Sequence, residues 1–276
     1  MSLRSGLTSP AFTTLATLGT AALIAGCAST GAPTMNATAA EPVPPQIPLR
    51  DFFRNIDRGY YRVSGDGRSL GFMQPALGSD GKTRRMNIFV QALDGSRPVG
   101  EPRQLSFETA RDIANYFWKG GDTLLYTKDF GGDENFHVVA VDAASGKVTD
   151  LTPFDGVRAA VIDALPDDPQ HVLVQHNQRD KRAFDVWRVN VKTGAQTLVA
   201  QNPGNIIGWQ TDHTGAVRMG VASDGVNNTL LYRDREADPF RPLITTDFRT
   251  QVNPQFFDAA NQRFYAVSNR DRKSVV

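Results

Sequence analysis

Short β-rich runs, separated by turns of Gly, Asp and Asn, return along this chain with a near-constant period. The unit is clearest over residues 112–142. There an apolar run from Ile113 to Trp118 enters a Gly120-Gly121-Asp122 turn, and residues 123–127, a Gly-rich loop and residues 136–141 follow. Aligned on their second strands, the units begin that strand at Leu70, Leu124, Val172, Val217 and Phe264, in steps of 54, 48, 45 and 47 residues. Third strands recur at 87–90, 136–141, 184–189 and 229–232, with a fifth starting at Ser274, and short fourth strands follow at 104–106, 149–151, 197–199 and 243–245. Four antiparallel strands at this period predict an all-β fold of β-propeller blades, four complete and part of a fifth. A β-sandwich is the competing fold, but it has no reason to repeat a four-strand unit. Trp118, Trp187 and Trp209 are expected to pack between blades.

The chain stops at Val276, inside the third strand of the fifth unit. The expectation is a piece of a longer protein, with open sheet edges liable to pair with other chains.

The amino terminus reads differently. Residues 1–27 carry one base, Arg4, and no acid, and an apolar run rich in Thr, Ala and Leu ends at Ile24-Ala25-Gly26-Cys27. That is the layout of a secretory signal, and its last four residues resemble the bacterial lipobox. Such a signal implies cleavage before Cys27 and lipidation of its thiol, hence a membrane anchor in the bacterial cell envelope, periplasmic or on the outer membrane. A transmembrane helix needs about 20 apolar residues, more than this run supplies. Cys27 is the one cysteine, so no intrachain disulfide can form. Residues 28–46 are Ala-, Thr- and Ser-rich and end in prolines, a disordered tether. Residues 47–276 form the expected propeller domain. It opens with Leu49, Phe52 and Phe53 at the spacing of one short amphipathic helix over 47–55.

Lys plus Arg number 30 against 29 Asp plus Glu, and no basic run stands out. A nucleic-acid partner is therefore not expected. With 40% hydrophobic residues the chain has apolar mass for a sizeable core.

Four stretches carry a family resemblance: residues 49–55 (LRDFFRN), 128–137 (KDFGGDENFH), 150–154 (DLTPF) and 224–233 (DGVNNTLLYR). Together they resemble the amino-terminal propeller of bacterial prolyl oligopeptidase family serine peptidases, on the branch of acylaminoacyl peptidases and dipeptidyl aminopeptidases. The likeness covers residues 47–276. It implies a propeller that caps a carboxyl-terminal α/β-hydrolase domain and gates its access to short peptide substrates. It also implies a Ser, Asp and His in that domain, the Ser in a G-x-S-x-G elbow. No G-x-S-x-G occurs in these 276 residues. The nearest approach, Gly78-Ser79-Asp80-Gly81 after Leu77, lacks the first glycine and falls in a turn. No catalytic residue is thus expected in this chain, and hydrolysis by it alone is not expected either. The alternative reading is a non-catalytic envelope lipoprotein whose propeller is a protein-binding platform.

The sharpest polar cluster is Asp133, Glu134 and Asn135, with Asp129 nearby. In relatives of the family, propeller carboxylates can bind the free amino terminus of a peptide, which makes these three the substrate-gating candidates. The plainer reading is turn chemistry, Asp and Asn side chains bonding turn amides while Gly131 and Gly132 supply positive φ. His171 and His176 are five residues apart on a strand pattern, hence on opposite faces, so no metal site is expected. Gly65-Asp66-Gly67 lacks the strand-to-helix context of a phosphate loop, and no cofactor is expected. Asp185, in an in-out strand pattern, reads as a cross-strand partner.

Overall fold

The computed structural model describes residues 44–53, 56–78 and 80–270. The signal sequence with Cys27, the tether up to residue 43, Ser79 and the strand expected from Ser274 lie outside the described residues. The chain divides into two units, Met1–Phe53 and Arg54–Val276. The described part of the first contains one four-residue helix, α1 (Leu49–Phe52). The expected amphipathic helix is thus shortened to a single turn. Leu49, Phe52 and Phe53 are all exposed, and a single turn fixes too few hydrogen bonds to be stable by itself. Among the described residues no helix is long and apolar enough to cross a membrane.

The second unit is built from four four-stranded antiparallel sheets and one two-stranded sheet, each in sequential strand order. The blades are β1 (Gly59–Val63), β2 (Ser69–Leu77), β3 (Arg84–Asp94) and β4 (Arg97–Gln104); β5 (Tyr116–Lys119), β6 (Thr123–Lys128), β7 (His137–Asp142) and β8 (Val148–Asp150); and β9 (Ala159–Asp163), β10 (His171–Asp180), β11 (Ala183–Asn190) and β12 (Gln196–Ala200). The fourth comprises β13 (Ile206–Thr211), β14 (Val217–Ser223), β15 (Asn228–Tyr232) and β16 (Arg241–Thr246), and β17 (Val252–Phe257) and β18 (Phe264–Ser268) open a fifth.

Every second strand lies where the repeat places it. Several strands run a few residues past their expected bounds, and two boundaries are misplaced. The first strand of blade two begins at Tyr116, not Ile113. Ile113 is apolar because it is buried in the link between blades, where its N–H donates to Met86 O (3.1 Å). The fourth strand of blade one is Arg97–Gln104, ahead of the expected 104–106. It is an outer edge strand with Pro98, Gly100 and Pro102, which protect an edge and read as turn residues.

The middle strands carry the burial. β6 (TLLYTK) and β7 (HVVAVD) are buried on both faces over most of their length, as expected for a sheet packed between two others. Leu124, Tyr126, Val139 and Val141 face blade one with Met73, Ile88 and Val90. Leu125, Val138 and Ala140 face blade three with Val172, Val174 and Val189. Pairing between second and third strands is unbroken in blades one, two and four, whereas bulges fall in most pairings to first and fourth strands. Bulges there increase strand twist across the blade.

The tryptophans lie at blade seams. Trp118 Nε1 donates to Arg62 O (3.0 Å) in blade one, and Trp209 Nε1 to Phe184 O (3.0 Å) in blade three. Trp187 packs on the cluster shared by blades two and three. The first strands of successive blades, β1 with β5, β9 with β13 and β13 with β17, approach one another and form the inner wall.

A buried histidine is expected to make the stability of blade three depend on pH. The His176 Nε2–H donates to Gln196 Oε1 (3.0 Å), and Nδ1 is buried without a partner among the described residues. The ring stacks on Trp187 at 5.2 Å, lies 5.5 Å from Phe154, and is paired across the hairpin with Asp185. Burial pushes the imidazole pKa below its ordinary value, against the opposing Gln196 hydrogen bond and the Asp185 charge. The unfolded chain therefore takes up this proton first as pH falls. The stabilisation is complete above the unfolded value of about 6.5 and is lost as pH drops through the lower folded value. His176→Gln is expected to flatten the decline in Tm below about pH 6.5, measured against the unsubstituted protein. Parallel pH profiles for the two would rule this histidine out as the cause. Asp185 is buried, accepts both nitrogens of Arg179 (2.8 Å each) and takes the Asn202 N–H (2.7 Å), the cross-strand role expected of it.

Candidate functional site

Because strands alternate in direction, the loops joining second to third strands share one rim of the blades with the links that lead into the next blade. The loop after β6 lies on that rim. Gly131 (φ 70°), Gly132 (φ 91°) and Glu134 (φ 59°) adopt left-handed backbone, the first two without the cost a Cβ would add. The Asp133 carboxylate accepts the Asn135 N–H (3.0 Å) and its Nδ2–H (3.1 Å), closing an Asx turn. The Asn135 hydrogen bonds hold its carboxyl below the usual carboxylate range. Asp133 and Glu134 are exposed and Asn135 is half-buried. The Glu134 side chain has no hydrogen bond or ion pair among the described residues. All three candidates therefore sit on one turn at the rim, with Glu134 presented to solvent.

Asp129 stands apart from them. Its side chain is nearly buried and accepts Arg111 Nη1 (2.6 Å) from the link out of blade one. Beside it, Glu108 of the same link receives Lys128 Nζ (3.0 Å) and the Tyr126 hydroxyl (3.1 Å) through one oxygen. Asn87 of β3 fixes the Glu108 backbone from both sides, its Oδ1 accepting the Glu108 N–H (2.8 Å) and its Nδ2 donating to Glu108 O (3.0 Å). Burial, and secondarily the Glu108 charge, pushes the Tyr126 phenol up, so it remains a donor. The Lys128 ammonium lies 4.8 Å from the Phe130 ring centre, and Phe130 meets His137 edge-on at 4.8 Å. His137 Nδ1 bonds Asp150 Oδ2 (2.7 Å).

Sequence reasoning did not assemble Glu108, Arg111, Tyr126 and Lys128. Tyr126 and Lys128, two apart on β6, share a face and carry a readable signal, whereas Glu108 comes from another blade's link and carries none. The result is a braced platform holding a loop with a half-exposed phenylalanine and an exposed glutamate. Such a surface favours an apolar group next to an ammonium or amide N–H.

Four complete four-stranded blades and the opening pair of a fifth define a β-propeller. No family model matches the chain. It is 34% identical over 203 residues to dipeptidyl aminopeptidase BIII of Pseudoxanthomonas mexicana, covering 70% of this chain and 28% of that protein. It is 24% identical over 241 residues to dipeptidyl peptidase family member 6 of Caenorhabditis elegans, covering 80% of this chain and 31% of that one. A solved prolyl endopeptidase superposes with a TM-score of 0.54 at 11% identity, over 78% of this chain and 33% of that one. The chain thus spans less than a third of the length of the two curated relatives. It belongs to the propeller region of the prolyl oligopeptidase family of serine peptidases.

Proposed function

We propose that this chain is the substrate-gating propeller of a serine peptidase that hydrolyses short peptides, anchored in the bacterial envelope through Cys27. Its Ser, Asp and His belong to an α/β-hydrolase domain outside these 276 residues. The observation that carries the reading is the 34% identity over 203 residues to a dipeptidyl aminopeptidase. The inner wall of first strands suits an access path that admits extended peptides and excludes folded proteins. At the rim, Asp133 and Glu134 are the groups that would meet a peptide's amino terminus, and Asn135 sets the Asp133 orientation through the two bonds described above.

The test uses the product of the complete open reading frame, fractionated and then treated with a fluorophosphonate. A labelled serine adduct in the membrane fraction is the expected result, with Cys27→Ser moving it to the soluble fraction. Absence of any adduct would count against a peptidase and favour a binding platform. An adduct that stays with membranes after Cys27→Ser would remove the anchor from the reading.

A further inference from the structure

One blade earlier on the same rim lies a cavity of about 370 Å³, within the range of small-molecule sites, about 300–1,000 Å³. Its apolar wall is Ile56, Tyr60, Pro75 and Met86, and its charged wall is Asp57, Arg84 and Asp112. Three features distinguish it from an incidental surface depression.

The first is the backbone of Tyr60, which is left-handed (φ 57°), an unusual state for a bulky aromatic residue. It falls within the irregular pairing between Gly59 and Arg62. Tyr116 of the next blade holds it there, its hydroxyl donating to Tyr60 O (2.8 Å). The ring is consequently 53% exposed at the cavity instead of packed in the blade. Strain maintained by a neighbouring element is a property of functional sites more than of plain scaffold.

The second is Gly59, which gives Ile56 room to fold back. A Cβ on that glycine would sit 2.6 Å from Ile56 Cδ1. A side chain there would make the end of Ile56 turn aside and so reshape the apolar wall.

The third is the state of the charged groups. Neighbouring guanidinium groups are engaged: Arg58 with Gln74 (3.0 Å), Arg85 with Ala110 O (3.1 Å) and Arg111 with Asp129 (2.6 Å). Arg84 has no side-chain hydrogen bond or ion pair among the described residues. Asp112 gives one oxygen to the Met86 N–H (2.8 Å), and its other oxygen meets no donor among the described residues. Asp57, which has a partner of its own, adds a second carboxylate to the same wall.

A ligand that satisfies this wall brings an apolar side chain, a carboxylate for Arg84 and an ammonium or N–H for Asp112. We propose that the cavity binds short zwitterionic peptides, with the terminal carboxylate on Arg84, the terminal amine on Asp112 and an apolar side chain against Tyr60 and Met86. The choice of peptides as the ligand class rests on the peptidase reading above. The placement of their charges rests on the cavity alone.

The experiment is calorimetric titration of the complete gene product, after fluorophosphonate treatment, with alanyl-glycyl-phenylalanine, its carboxamide and its N-acetyl form. The free tripeptide is expected to bind about tenfold more tightly than either blocked form, the size of one hydrogen bond to a charged group. Arg84→Gln should remove the preference for the free carboxylate and leave carboxamide affinity unchanged. Asp112→Asn, which still accepts from Met86 N, should remove the preference for the free amine. Arg84 is exposed, so its substitution leaves the fold intact, which an unchanged Tm would verify. Equal affinities for the free and blocked peptides, no binding of any of the three, or unaltered preferences in both variants would overturn the proposal. A missing serine adduct bears only on the peptidase reading, since the titration does not require hydrolysis.

Discussion

Leu125→Ala is expected to destabilise the propeller by about 2–5 kcal/mol, the cost of emptying a buried leucine site that cannot collapse. Leu125 is fully buried on β6, on the face turned to blade three. Its neighbours Val138, Ala140 and Leu151 belong to its own blade, and Val172, Val174 and Val189 to the next. Both groups are fixed by sheet hydrogen bonds, so neither can move inward to fill the void. For a unit of this size a loss of about 3 kcal/mol corresponds to a Tm decrease of roughly 6–12 °C. The control is Leu198→Ala on the outer strand β12, where the side chain is already half-exposed and the expected change is within about 0.5 kcal/mol. Thermal melts of the two variants that coincide would show that the seam between blades two and three does not carry the core.

Gly71→Val is expected to open the seam between blades one and two. Gly71 lies on β2, and a Cβ there would sit 2.8 Å from the Tyr116 hydroxyl, 3.0 Å from its Cε2 and 3.1 Å from Trp118 Nε1. Valine must push both rings away. Doing so breaks the Tyr116 bond to Tyr60 O and the Trp118 bond to Arg62 O. Overpacking costs about 1–3 kcal/mol, and each lost hydrogen bond adds about 1 kcal/mol. Tryptophan near-ultraviolet dichroism together with Tm reads both effects. A variant that melts like the unsubstituted protein, with its tryptophan signal intact, would mean that the two rings do not hold these blades together. Tyr116 also fixes the left-handed Tyr60, so the same change should weaken tripeptide binding at the cavity.

The blade order was legible because its signals are local. Hairpin turns are written in Gly, Asp and Asn, and the second strands are buried on both faces, so they leave dense apolar runs at a constant spacing. Edges were read less well. Arg97–Gln104 packs on little and leaves no alternation, while Ile113 is buried yet belongs to no strand. Burial and strand are different properties, and an apolar residue reports only the first.

The candidate turn shows the same division. Asp133 and Asn135 are two residues apart, and their mutual bonding follows from turn chemistry. The platform beneath them joins Glu108 to Lys128 across 20 residues, and the Tyr60 backbone is held by Tyr116 across 56. Nothing in either partner's neighbourhood announces the other.

From the amino-acid order alone came the repeat, the four-strand blade and the family, because strand pairing between adjacent segments and turn conformation are dictated by residues close together in the chain. The tertiary structure alone decided which charges are paired at the seams, which are left open at the rim and where a strained tyrosine is held. Those depend on how blades set side by side bring distant side chains within hydrogen-bond range, and the chain encodes that contact only through the finished packing.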